Sequence, residues 1–231
     1  MTTLDICDFE TDLDYPATRI LLIDCNRFEL TTFAASLRVH GFDVVGEASE
    51  RRVALQLFKA TKPDLVIVSF QGCDDSVINI THRFREDKPS LGIILLSPSP
   101  DLRLFGFNES DLPRGTQIIQ KSLLHNLEQI NIAIEAASDE DALTAWTFAH
   151  FDAGLMALTD VQIETLRMVA HGLSNGDIAK IRYVTEKSVE QTVGRIAQHL
   201  RISYQKGRNL RVILAAEYFK WMGSARHHQF K

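Results

Sequence analysis

From residue 19 to 137 the chain alternates short apolar runs with longer amphipathic ones. The apolar runs are RILLID (19–24), FDVVGE (42–47), DLVIVSF (64–70), LGIILLS (91–97) and TQIIQK (116–121). They are short and rich in Val and Ile, the pattern of strands covered on both faces. Between them, residues 27–40 place Phe28, Leu30, Phe33, Ala34, Leu37 and Val39 around a helix that stops at Gly41. Residues 50–60, 76–86 and 122–136 repeat that spacing around Ala54 and Phe58, Ile80 and Phe84, and Leu127, Ile130 and Ile134. Residues 98–115 hold three prolines and two glycines, so any helix there is short or distorted. Strands alternating with helices predict βαβ units and a five-stranded parallel sheet. Such a sheet keeps its functional crevice at the carboxyl ends of its strands. That directs attention to Asp24, Cys25, Ser69, Ser97 and Lys121, all at strand ends.

From Leu158 the pattern is purely helical. Thr159, with Gln162 three residues on, is a capping-box signal before Ile163, Leu166, Val169 and Ala170, and Gly172 ends the run. Ser174, with Asp177 three on, starts a second helix. A turn at Tyr183–Val184 leads to Thr185, which caps a third. The buried face of that third helix reads Val189, Val193, Ile196 and Leu200. Its outer face reads Lys187, Ser188, Gln191, Gly194, Arg195 and Gln198, with Glu190 among them. Two short helices joined by a tight turn, the second with a polar outer face, suit a helix-turn-helix. On periodicity alone a plain helical bundle suits them equally. Between the two patterns, residues 138–157 open acidic and then become apolar. Trp146, Phe148 and Phe151 are too hydrophobic for a flexible tether, so this linker is expected to be partly helical and packed.

Composition narrows the class. The 231 residues are 45% hydrophobic and 24% charged, enough for a real core and for one large domain or two small ones. The net charge of −5 conceals an asymmetry. Residues 158–231 hold 12 Lys and Arg against 6 Asp and Glu, whereas residues 1–157 hold 13 against 24. A basic segment on an acidic body implies that only the C-terminal part meets a polyanion. No apolar run is long enough to span a bilayer, and the acidic N-terminal tail, residues 1–17, lacks the look of a secretion leader. Cys7, Cys25 and Cys73 have neither metal-ligand nor redox-motif spacing, so the expectation is reduced thiols in a cytoplasmic protein with no metal and no cofactor.

The stretch LTDVQIETLRMVAHGLSNGDIAKIRYVTEKSVEQTVGRIAQHL, from Leu158 to about residue 202, resembles the LuxR/FixJ helix-turn-helix without a gap. The resemblance carries Leu158–Thr159, Glu164, Leu166, the run Ala170 to Asn175, Ile178–Ala179 and Val184 to Val189. It implies a DNA-binding domain over 158–221, followed by a C-terminal tail at 222–231. In that family a fourth helix pairs two subunits on DNA. Residues 18–137 resemble the receiver domain of two-component response regulators of the NarL/FixJ type. That family holds Mg²⁺ on two adjacent acids after strand one and phosphorylates an Asp after strand three. It ends strand four with Ser or Thr and strand five with Lys.

The departures are as informative as the matches. Asp24, Ser97 and Lys121 are kept, but Cys25 replaces the second acid and Ser69 replaces the phosphoacceptor. Ile118 stands where the family's switch aromatic would be. Mg²⁺ needs hard, charged oxygen ligands, and phosphoryl transfer needs a carboxylate nucleophile, so aspartyl-phosphate signalling is not expected. In the recognition helix Glu190 stands where the family has Lys, and Gly194 stands at an outward position often basic or polar. Phosphates repel a carboxylate, although Glu also accepts from cytosine N4. The expectation is a non-enzymatic, phosphorylation-independent transcription regulator that acts as a homodimer on double-stranded promoter DNA. Thr185, Lys187, Ser188, Glu190, Gln191, Gly194, Arg195, Gln198, Lys206 and Arg208 are its candidate DNA contacts. The alternative is a regulator with weak DNA binding that answers to a partner protein or a small-molecule effector at the receiver.

Overall fold

The computed structural model describes residues 18–70, 76–124, 127–139, 143–146, 152–202 and 207–222. Cys7, Cys73, Phe148, Phe151, Lys206, the N-terminal tail and the last nine residues lie outside them.

The first part is an α/β unit. Strands β1 (Arg19–Ile23), β2 (Asp43–Ala48), β3 (Leu65–Ser69), β4 (Gly92–Ser97) and β5 (Gln117–Gln120) alternate with helices. These are α1 (Arg27–Val39), α2 (Arg51–Thr61), α3 (Ser76–Asp87) and α4 (Leu127–Ala137). Every residue of β3 and β4 is buried, because helices cover both faces of the sheet. One apolar core lies under α2 and α3 around Leu21, Val66, Val68 and Leu95. The other lies under α1 and α4 around Leu22, Ile67, Ile94 and Leu96. Ile118 is wholly buried in the first. Asn26 caps α1 by accepting from the amides of Phe28 and Glu29.

The sheet has six strands, not five. Its order is β2-β1-β3-β4-β5 with β6 (Ala145–Trp146) beside β5, and every pairing is parallel. The sixth, Ala145–Trp146, comes from the stretch expected to be partly helical and pairs with Gln117 and Ile118. Two paired residues leave no periodicity to read, so the strand was invisible in the sequence. The Trp146 indole then donates to Glu109 Oε1 at 2.8 Å. Among the described residues of the linker, one helical turn follows, α5 (Ala153–Met156), capped by Asp152.

The second part is α6 (Asp160–Ala170), α7 (Asn175–Arg182), α8 (Glu186–His199) and α9 (Leu210–Trp221) around a third core that includes Ile163, Leu166, Val189 and Leu214. The proline-rich stretch after β4 forms two 3-10 turns, Leu102–Phe105 and Glu109–Asp111, and the first joins the two parts. Leu104 is fully buried in the helical core, and Tyr218 of α9 donates to its carbonyl at 2.8 Å. Arg103 pairs with Asp101 at 2.7 Å and with Asp160 at 2.9 Å, and also donates to the Leu158 carbonyl. Gly106 closes this turn at φ +91°, where a Cβ would lie 2.5 Å from Arg167 Nη1. Among the described residues no helix is long and apolar enough to cross a membrane.

Candidate nucleic-acid interface and strand-end pocket

Helices α6, α7 and α8 start where the sequence places their caps. Thr159 and Gln162 form a reciprocal capping box. Ser174 Oγ accepts from the Asp177 amide and donates to Asp177 Oδ2 at 2.6 Å, which holds the Asp177 carboxyl below its ordinary value. Tyr183 takes the left-handed conformation at the end of α7, and Thr185 then caps α8 by accepting from the Ser188 amide. Val189, Val193, Ile196 and Ala197 turn α8 into the core, with Leu200 half-buried beside them.

The opposite face of α8 is open. Lys187, Glu190, Gln191, Arg195 and Gln198 are exposed, and among the described residues they make no hydrogen bond or ion pair with the chain. Thr185 is exposed, Ser188 and Gly194 are half-buried, and Arg208 is exposed just before α9. A Cβ on Gly194 would meet nothing within 4 Å, so packing does not demand glycine there. Not every cation of this part is free for a polyanion. Arg182 donates to Thr165 Oγ1 at 2.8 Å, and Arg211 donates to Asn175 Oδ1 at 2.6 Å and to the Leu173 carbonyl. These two arginines tie the helices together, a role that charge counting does not reveal.

At the strand ends the candidates separate. Asp24, Ser69 and Lys121 line one cavity of about 340 Å³. Asp24 is buried and takes Lys121 Nζ at 3.1 Å. The Ser97 hydroxyl instead turns into its own loop, donating to the Ser99 carbonyl at 2.8 Å. Cys25 is exposed and outside the cavity; partial shielding of its thiol and then the Asp24 carboxylate push that thiol above its ordinary value. Sequence reading missed Glu29, whose Oε2 lies 2.6 Å from Lys121 Nζ and whose Oε1 accepts from Asn26 Nδ2. Asn26 followed three residues later by Glu29 was the available signal, a capping pattern at the start of α1.

The donor set does not fit the Mg²⁺ of receiver domains. Asp24 is one hard carboxylate already holding an ammonium group, and its neighbours in the family's positions are a thiol and a hydroxyl. Among the described residues no group of three metal-ligating side chains is gathered.

No family model matches the chain. It is 22% identical over 187 residues to the DNA-binding transcriptional activator EvgA of Escherichia coli K12, covering 78% of this chain and 90% of that one. It is 23% identical over 178 residues to the response regulator protein VraR of Staphylococcus saprophyticus, covering 69% and 78%. Among solved structures, that of two RcsB dimers bound to two parallel DNAs superposes with a TM-score of 0.56. The match is 17% identical and covers 88% of this chain and 98% of that one, and it shows a shared fold. The fold is a receiver-like α/β unit joined to a helix-turn-helix unit. In sequence the chain is similar to response regulators such as EvgA and VraR, and in architecture to RcsB.

Proposed function

We propose that the chain is a transcription regulator that binds double-stranded promoter DNA through the outer face of α8, as a homodimer, and that its receiver unit works without aspartyl phosphorylation. It carries out no catalysis, and a cytoplasmic place of action belongs to this reading. The observation that carries it is the open face of α8. Lys187, Gln191, Arg195 and Gln198 form a polar, partly basic surface on a helix held rigidly by its caps and buried face. Helices of this kind enter the major groove of DNA. EvgA is named a DNA-binding activator, and RcsB was solved on DNA as dimers. Val212, Ala216 and Lys220 share the outer face of α9 at four-residue spacing, with Val212 65% exposed, as suits a helix that meets a second subunit.

Gel-shift titration of the full chain against fragments of its own genome tests the DNA reading. Binding is expected, falling with salt at a log–log slope of about −0.9 per phosphate contacted. A chain shown to dimerise that binds no fragment at low salt overturns it. The phosphorylation reading has its own test. Incubation with acetyl phosphate and Mg²⁺ is expected to leave mass and DNA affinity unchanged, and Ser69→Asp is not expected to restore a response. A stable phospho-protein with tighter dimerisation would overturn it.

A further inference from the structure

We infer that the strand-end cavity is a binding site for a small apolar amine. It lies at the carboxyl ends of β1 and β3, where the strand order reverses and open α/β sheets bind ligands. Its floor is apolar: Leu22, Ile67 and Leu96 rise from three adjacent strands, and Leu30 and Phe33 face them from α1. Its charged groups meet at one place, where Asp24 and Glu29 share Lys121. An apolar body with one polar edge is the usual form of a small-molecule site, and about 340 Å³ is at the small end of that class. At roughly 30 Å³ per water-sized group the cavity suits a body of about eleven non-hydrogen atoms, one ring with a short chain.

Charge selects the head group. Among the described side chains at the rim two carboxylates stand against one ammonium, and half-exposed Glu29 faces solvent, so a ligand carboxylate or phosphate is disfavoured and an ammonium is attracted. Glu29 is half exposed, and each of its oxygens keeps acceptor capacity beyond the single bond it takes from Asn26 or Lys121. Phe28, 79% exposed, and Phe33 line the same cavity, and aromatic faces also favour a cation. The site requires nothing of α8 and stands whether or not the chain binds DNA.

Thermal unfolding and calorimetric titration of the full chain test the site, with 2-phenylethylamine as probe and 2-phenylethanol and 3-phenylpropionate as neutral and anionic counterparts. Ammonium chloride at equal concentration is the salt control. The amine is expected to raise the unfolding temperature by a few degrees at millimolar concentration, the alcohol to do less, and the acid to match the salt control. Glu29→Gln should weaken amine binding at least fivefold. Thr32→Trp, an exposed position at the cavity, should abolish the shift while leaving the circular dichroism spectrum unchanged. If the folded Thr32→Trp protein keeps the shift, or the acid stabilises as well as the amine, or the amine has no effect, the site is not as described. Should Thr32→Trp fail to fold, Glu29→Gln serves in its place, and an undiminished amine affinity in that variant overturns the site.

Discussion

The two polar surfaces of this molecule are built in opposite ways. At the strand ends the charges serve one another. Lys121 bridges Asp24 and Glu29, Asn26 donates to both carboxylates, and Ser97 turns back to Ser99. On the outer face of α8 the side chains from Lys187 to Gln198 serve nothing within the described chain. Folding explains the first set, because a buried carboxylate without a cation is costly. It does not explain the second, because exposed polar groups are free to vary. What the contrast teaches is where to expect a macromolecular partner. A surface whose donors are spent internally has little left for a long polyanion, while an open and rigid one has its full complement.

Substitutions on the two surfaces should therefore separate binding from stability. The largest effect is expected from Arg195→Glu, which reverses a charge on the open face. DNA affinity should fall tenfold or more, with a salt slope shallower by about 0.9 for a lost phosphate contact and an unchanged unfolding midpoint. Unaltered affinity in a gel-shift would place the DNA surface elsewhere. Lys121→Met should do the converse. It removes the ammonium group from buried Asp24 and should cost about 1–3 kcal/mol in urea unfolding, less than a fully buried pair because Glu29 relaxes into water, with DNA affinity retained. Loss of DNA binding at full stability would show that the two surfaces are coupled.

Glu190→Lys comes next and sharpens the contrast within α8 itself. Replacing the carboxylate should raise affinity for non-specific DNA severalfold. If it also abolishes binding to the natural site, Glu190 reads a base there. Gly194→Ala should stabilise the chain by about 0.5–1 kcal/mol, since the added methyl meets open space and a glycine in mid-helix is unfavourable. Calorimetric unfolding would show it, and no gain would mean that the glycine is required by packing after all.

The smallest effect concerns acid. The Asp177 carboxyl is held below its ordinary value, chiefly by the Ser174 hydroxyl and then by Lys180. Its folded pKa lies below its unfolded one, so its contribution is present above the ordinary carboxylate value and is lost as pH falls through the depressed folded value. Asp177→Asn should lower stability slightly near neutrality, where that contribution is present, and make unfolding less acid-sensitive as pH falls through that window. An equal acid response in both proteins would refute the assignment.

How far each site was legible depended on the range of the interactions that make it. Helix α8 was readable because its signals are local. Thr185 caps Ser188 three residues away, and Val189, Val193 and Ile196 recur within two turns. The strand-end cluster was half readable. Asp24, Ser69 and Lys121 end their strands and share a cavity, but Ser97 and Cys25 end theirs and do not. Position at a strand end says which residues are near the crevice, and only the rotamer says which of them point into it. Glu29 escaped because its partner Lys121 is 92 residues away, and a Glu in the first turn of α1 reads equally well as a solvated charge.

By itself the sequence determined the alternation of strands and helices, the helix caps, the strand ends and the phase of α8. Each of these follows from periodicity or from a hydrogen bond spanning at most four residues. The tertiary structure alone decided that Ala145–Trp146 becomes a sixth strand, that Leu104 enters the helical core under the Tyr218 hydroxyl 114 residues away, and that Arg182 and Arg211 tie helices together rather than facing outward. Those outcomes depend on which distant groups come within hydrogen-bonding or van der Waals reach once the chain is compact, and no repeat along the chain records that choice.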